Sequence, residues 1–167
     1  MADGSFLRWP RCAPVEVPTG AFHMASVEGP AEVVLYSPVV EVSPVAGAMH
    51  YALDLVSDTG PAAEPTGVVM LVAFDVPADL TDEVDRWYDE EHINLLMRAD
   101  GWLRARRFRV PRSEGGPRWT SLAFHELRDI SVMASPERAY ARSTPWRAEL
   151  EKGEWFGAAG RGVFQPI

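Results

Sequence analysis

Lysine is almost absent. Lys152 is the only one, and every other basic side chain is arginine. It sits in a Glu-Lys-Gly-Glu run that reads as a solvated helix end, which argues against a desolvated Schiff-base lysine. Cysteine is equally scarce. With Cys12 alone no internal disulfide can form, and a cytoplasmic setting is the default expectation. Between Arg11 and Ala13, in a proline-dotted stretch, it reads as a passive thiol rather than a nucleophile. The four histidines (His23, His50, His92 and His125) include no pair three or four residues apart, so no His-x-x-x-His metal face exists. Walker and Gly-x-Gly-x-x-Gly loops are missing too; the glycine-rich segment 157–162 follows no strand pattern and reads as a turn. Neither a metal nor a resident cofactor is expected. No apolar run reaches the ~20 residues that span a bilayer, and the first ten residues lack the apolar stretch of a secretion signal, so no membrane association is expected. Cations are in deficit overall, 16 Lys plus Arg against 24 Asp plus Glu for a net charge of -8. A phosphate-wrapping protein shows the opposite balance, so no nucleic-acid partner is expected.

What is present suits one domain with a decorated end: 167 residues, 47% hydrophobic and 24% charged. Composition changes near Gly67. Residues 1–66 hold eight of the fourteen prolines and only two cations, Arg8 and Arg11. They read as a strand-pair extension, with strands at 32–42 and 48–56 and a turn or linker at 57–67. Pro38 marks the first as an edge strand or a broken pair. Residues 67–167 have a clearer order: a buried strand at 67–75, a helix at 81–98 capped by Asp79 or Thr81, strands at 102–110 and 118–127, and a helical turn opened by Asp129. Short helices then follow the caps Ser135 and Thr144, each with proline at the first helical position, before a last strand at 162–167. This βαββαβ order is the ferredoxin-like arrangement. The two parts share no repeat at the level of residues.

The helix carries most of the information. Stepped at ~100° per residue from Val84, it gathers Leu80, Trp87, Tyr88 and Leu95 on one face. Glu91 falls near the centre of that face and His92 on its flank. Ionisable groups on an apolar face are costly unless paired or used. Glu91 is read either as the partner of an arginine on the 104–109 strand or as part of a site. His92 is read as a satisfied core histidine or as an acid/base group oriented by Tyr88, one turn away. In the 118–127 strand, alternation puts Leu122, Phe124 and Glu126 on one face and Ser121, Ala123, His125 and Leu127 on the other. His125, beside small residues, is a second candidate. In the 102–110 strand Trp102, Arg104, Arg106 and Phe108 share a face, and Arg104 and Arg106 are candidates to clamp a substrate carboxylate or phenolate, or to pair within the protein. His50, with Asp54 on its strand face, reads as solvated.

The run Val84-Asp-Arg-Trp-Tyr-Asp-Glu-Glu-His92, followed by Asp100-Gly-Trp-Leu-Arg-Ala-Arg-Arg-Phe-Arg109, resembles the EthD-like branch of the dimeric α+β barrel superfamily. The segments Leu122-Ala-Phe-His-Glu-Leu127, Thr144-Pro-Trp146 and Arg161-Gly-Val-Phe164 fit the same pattern, so the likeness covers about residues 67–167. Such families often carry proline two residues after the histidine; Asn94 stands there instead, which lets the helix run straighter. The resemblance implies an α+β fold in which a ferredoxin-like sheet pairs with that of a second copy, as a homodimer, to close a barrel. It also implies a small-molecule pocket between sheet and helices. The expected activity is that of a cofactor-independent enzyme on a small aromatic or polyketide-like substrate, of lyase, decarboxylase, isomerase or cyclase type. His92 would be the general acid/base, Tyr88, Glu91 and His125 would assist, and Trp87, Arg104 and Arg106 would contact substrate. A cofactor-free monooxygenase and a non-catalytic binding protein are the alternatives.

Overall fold

The computed structural model describes residues 1–10, 16–60 and 67–167; Cys12 lies outside them. The ferredoxin-like unit forms as its sequence suggests. Its strands are β5 (Val68–Phe74), β6 (Trp102–Arg109), β8 (Ser121–Leu127) and β9 (Gly160–Pro166), in the antiparallel spatial order β9-β5-β8-β6. Between β5 and β6 runs α1 (Thr81–Trp87), continued by a π-helical turn (Tyr88–His92) and by α2 (Ile93–Leu96). Between β8 and β9 lie a 3-10 turn (Ile130–Ala134), α3 (Pro136–Ala141), α4 (Pro145–Leu150) and α5 (Glu154–Gly157). The expected caps hold here: Asp129 accepts from the Ser131 amide, Ser135 from Arg138 and Thr144 from Arg147. At the first helix they do not. Leu80 occupies the cap position, with no side-chain cap, because a short 3-10 turn (Ala78–Leu80) feeds straight into α1. Gly101, at φ +90°, closes the α2–β6 corner in a conformation that side chains rarely adopt.

The first part of the chain contributes four strands rather than two: β1 (Gly4–Pro10), β2 (Phe22–Ser26), β3 (Glu32–Ser37) and β4 (Met49–Asp58). Their spatial order is β4-β1-β3-β2. Numbered within each half, this is 4-1-3-2, the same order as β9-β5-β8-β6. The two halves meet reciprocally, β4 against β6 and β2 against β9, all antiparallel. The result is an eight-stranded barrel closed within one chain, with β7 (Ser113–Glu114) added beside β4. The sheet face that a second copy was expected to cover is thus covered by the chain's own N-terminal strands. Phe6, Tyr36 and Tyr51 pack inside against Phe108, Phe124 and Phe164. Among its described residues the N-terminal half has no helices. The outer faces of β1 and β3 (Leu7, Trp9, Val33 and Leu35) are packed by Ala21, Val42, Val45 and Ala48 from its connections.

Closure also reassigns His50. It is buried, 3.4 Å from the Ser5 hydroxyl, instead of solvated, because β1 pairs along the strand that carries it. Among the described residues no helix is long and apolar enough to cross a membrane.

Candidate functional site

The described helices all lie on one side of the ferredoxin-like sheet, and the candidate site sits between the two layers. Its geometry begins with the π-helical turn. The Ile93 amide donates to the Tyr88 carbonyl, five residues back, instead of to Asp89. A turn that takes an extra residue advances each side chain by less than the ~100° of an α-helix. His92 therefore moves from the flank to the centre of the inward face, and Glu91 moves from the centre to the edge. The Asp89 carbonyl left free by this register accepts from the Asn94 side-chain amide at 2.9 Å. Asn94 thus stabilises a bulged helix and does not straighten it.

His92 is buried (7% exposed), stacked on Trp87 with ring centroids 4.3 Å apart and planes at 22°. Tyr88 meets it edge-on at 5.7 Å. Its Nδ1 has no hydrogen-bond partner. His125 faces it from β8, with Nδ1 accepting from the Trp102 indole N–H at 3.2 Å. An indole can only donate, so a neutral His125 carries its proton on Nε2. Trp102 reaches this side of the sheet, and not that of Arg104 and Arg106, because a bulge between Trp102 and Arg104 shifts the strand register. Between these rings the unfilled space is narrow, about 20 Å³, room for about one water. Phe156 and four arginines, Arg138, Arg142, Arg147 and Arg161, complete the wall. Sequence reasoning did not single out these arginines. The available signal was Arg138 and Arg142, four residues apart on one short helix.

The other candidate residues fall elsewhere. Glu91 accepts from the Thr144 hydroxyl at 2.7 Å and so ties the helix to the α4 cap. Arg104 binds Asp58 through two hydrogen bonds, at 2.8 and 2.6 Å. Arg106, 3.6 Å from the same carboxylate, lies across from Phe124 on the barrel-interior face of the sheet, with buried Glu126 beside it. Burial pushes the Glu126 carboxyl up, against the pull of Arg106 and Arg104. Arg107, on the helix side, stacks over Tyr88 at 4.2 Å and binds Asp85 at 2.7 Å. The structure therefore brings together Trp87, Tyr88, His92 and His125 and leaves Glu91, Arg104 and Arg106 outside their space.

Burial lowers the pKa of His92 to about 3, with His125 and Arg147 adding to the effect; burial and then Arg138 and Arg107 lower that of His125, also to about 3. Burial likewise pushes the Tyr88 phenol up. Both imidazoles are neutral at pH 7, and with only protein groups around it His92 is a weak base. Because each folded-state pKa lies below the ordinary histidine value, the unfolded chain binds protons first as pH falls. Their contribution to stability is complete above about pH 6.5 and is lost between there and about pH 3, at roughly 1 kcal/mol per pH unit for each imidazole. Thermal melts from pH 7 to pH 4 are expected to show this slope, and it should shrink in a His92→Gln/His125→Gln variant. An unchanged slope would mean that neither group is buried neutral.

No family model matches the chain, and no curated protein matches it in sequence. Solved structures share its fold. An anthrone oxidase-like protein superposes with a TM-score of 0.66 at 8% identity, over 98% of this chain and 90% of that one. A haem-degrading enzyme from Listeria monocytogenes gives 0.62 at 8%, over 98% and 99%. A monooxygenase-like protein from Listeria innocua gives 0.61 at 8%, over 99% and 95%. The chain has the ferredoxin-like α+β barrel fold of these proteins.

Proposed function

We propose that the chain is a cofactor-independent enzyme that forms the anion of a small aromatic or polyketide-like substrate between sheet and helices, with His92 as proton acceptor. The observation that carries this reading is the pair of neutral imidazoles facing a space walled by Trp87, Tyr88, Trp102 and Phe156. A neutral imidazole can take a proton from an acidic C–H or O–H, and nearby guanidinium groups offset the charge that develops on the substrate. Tyr88, protonated, donates; His125 is the second proton carrier. The helix pattern through Trp87, Tyr88 and His92 supports placement in the EthD-like branch.

The same anion permits two outcomes. It can break or form a C–C or C–O bond and take its proton back, as a lyase, decarboxylase, isomerase or cyclase requires. It can instead react with O₂, converting a ring methylene to a carbonyl with release of one water. The descriptions of the fold's neighbours, monooxygenase-like and anthrone oxidase-like, favour the second outcome. A panel of anthrones, activated phenols and aromatic acids, followed by oxygen electrode and mass spectrometry, tests the reading. Oxygen uptake with a product heavier by 14 mass units (two hydrogens replaced by one oxygen) is expected. Turnover without oxygen uptake would select the lyase or isomerase reading, and binding without any turnover would support a non-catalytic role. A cytoplasmic setting is part of the proposal. A homodimer, if the assembly of the resembling families is followed, would join outer surfaces, since the barrel closes without one.

A further inference from the structure

We infer that the ligand of this pocket carries two acid groups, with an aromatic dicarboxylate the best-fitting class, and that its binding is what makes His92 basic. The inference rests on the proposed site and goes beyond the proposed chemistry. Four guanidinium groups converge on the space from three elements: Arg138 on α3, Arg142 at its C-terminal end, Arg147 on α4 and Arg161 on β9. Arg147 is buried and paired with Glu151 at 2.6 Å. Arg138 bonds the Met133 carbonyl at 3.0 Å. Among the described residues, Arg138, Arg142 and Arg161 have no carboxylate within 4.0 Å. The cluster thus lacks about two or three negative charges, in a chain whose net charge is -8.

Partial burial, and the arginines' repulsion of one another, hold Arg138 and Arg161 below the usual arginine range. Cations clustered this way are costly unless an anion completes them, and guanidinium forks fit carboxylates in bidentate geometry. The positions also suit a molecule longer than one ring. Arg138 and Arg161 line both the inner space and an adjoining groove of about 340 Å³, whose far wall holds Glu28 and Arg8, the latter paired with Glu32 at 2.6 Å. A ring in the groove would set one acid group against Arg138 and Arg161 and direct the other inward, toward Arg142 and Arg147.

The charged and titratable groups that face His92 are Tyr88 on its own helix, His125 on β8, and the same four arginines. None of them is an anion at pH 7. A backbone hydrogen bond at Ala141 favours protonation of His92 but is outweighed by burial and the neighbouring cations; a bound dianion would be the one negative charge beside it, so proton affinity would be raised by the ligand itself.

Isophthalate, benzoate, isophthalamide and inorganic phosphate, titrated into the intact protein by calorimetry and tryptophan fluorescence, test this. Isophthalate is expected to bind at least tenfold more tightly than benzoate or the diamide, and to move the His92 imidazole resonance titration upward by a unit or more. Arg142→Gln/Arg161→Gln, both at exposed positions, should weaken isophthalate at least tenfold while weakening the diamide less than twofold. Equal affinity for isophthalate and the diamide would overturn the inference, as would phosphate binding as tightly as isophthalate, or an unmoved His92 titration in the saturated protein. Isophthalate binding with the expected shift, but no turnover on any substrate, would leave the inference standing and remove the enzymatic reading instead.

Discussion

Replacing His92 by glutamine is expected to lower turnover ~10²–10⁴-fold, with the fold intact. Glutamine keeps a polar atom of similar reach but exchanges no proton near neutral pH. The structural cost should stay within about 2 kcal/mol, since His92 Nδ1 has no hydrogen bond to lose and the losses are the stacking on Trp87 and one backbone hydrogen bond at Ala141. Rate and melting temperature measured on one sample separate the two roles. A variant that melts lower but turns over normally per folded molecule would remove His92 from the mechanism and leave His125 as the candidate.

The largest loss of stability should come from Asp85→Ala, outside the pocket. Asp85 binds both Arg107 and Arg109, so one carboxylate ties α1 to two positions of β6. Arg107 is 1% exposed, and its guanidinium lies over the Tyr88 ring. Without Asp85 its remaining carboxylate is Asp89, 3.8 Å away and half exposed. Removing one partner of a buried pair costs roughly 3–5 kcal/mol, mostly as the penalty of the charge left behind. In a domain of this size that is a melting-temperature drop of about 10 °C. The drop should be partly recovered in Asp85→Ala/Arg107→Leu, which removes the stranded charge. If the double variant melts no higher than the single, the pair is not the source of the effect.

Legibility in the sequence followed the range of the forces involved. Strands β5, β6, β8 and β9 and the caps at Asp129, Ser135 and Thr144 rest on local patterns, and all were readable. β1 and β2 were not, because GSFLRWP and FHMAS are short and set among prolines, and they become strands only by pairing with β3, β4 and β9. The π-helical turn cost the reading its placement of Glu91, since a fixed angular step cannot register an inserted residue. The bulge in β6 did the same for Trp102. The site was half legible. Trp87, Tyr88 and His92 share one helix and could be grouped by period. His125 joins them only through the sheet register, and Arg138, Arg142, Arg147 and Arg161 converge only when α3, α4 and β9 pack together.

The matching strand order of the two halves, with all the described helices on one of them, changes what a single mutation means. In a barrel made of two identical chains, every substitution appears twice, and each residue near the seam must suit its own copy as well as the site. Here β4 meets β6 and β2 meets β9 as different sequences, so either side of a seam can change alone. The N-terminal half fills the barrel and lends Arg8, Ser26 and Glu28 to the groove wall, while the histidines of the proposed site lie in the other half. If the proposed site is the binding site, ligand should saturate at one molecule per barrel, with no symmetric copy of the site to support cooperativity.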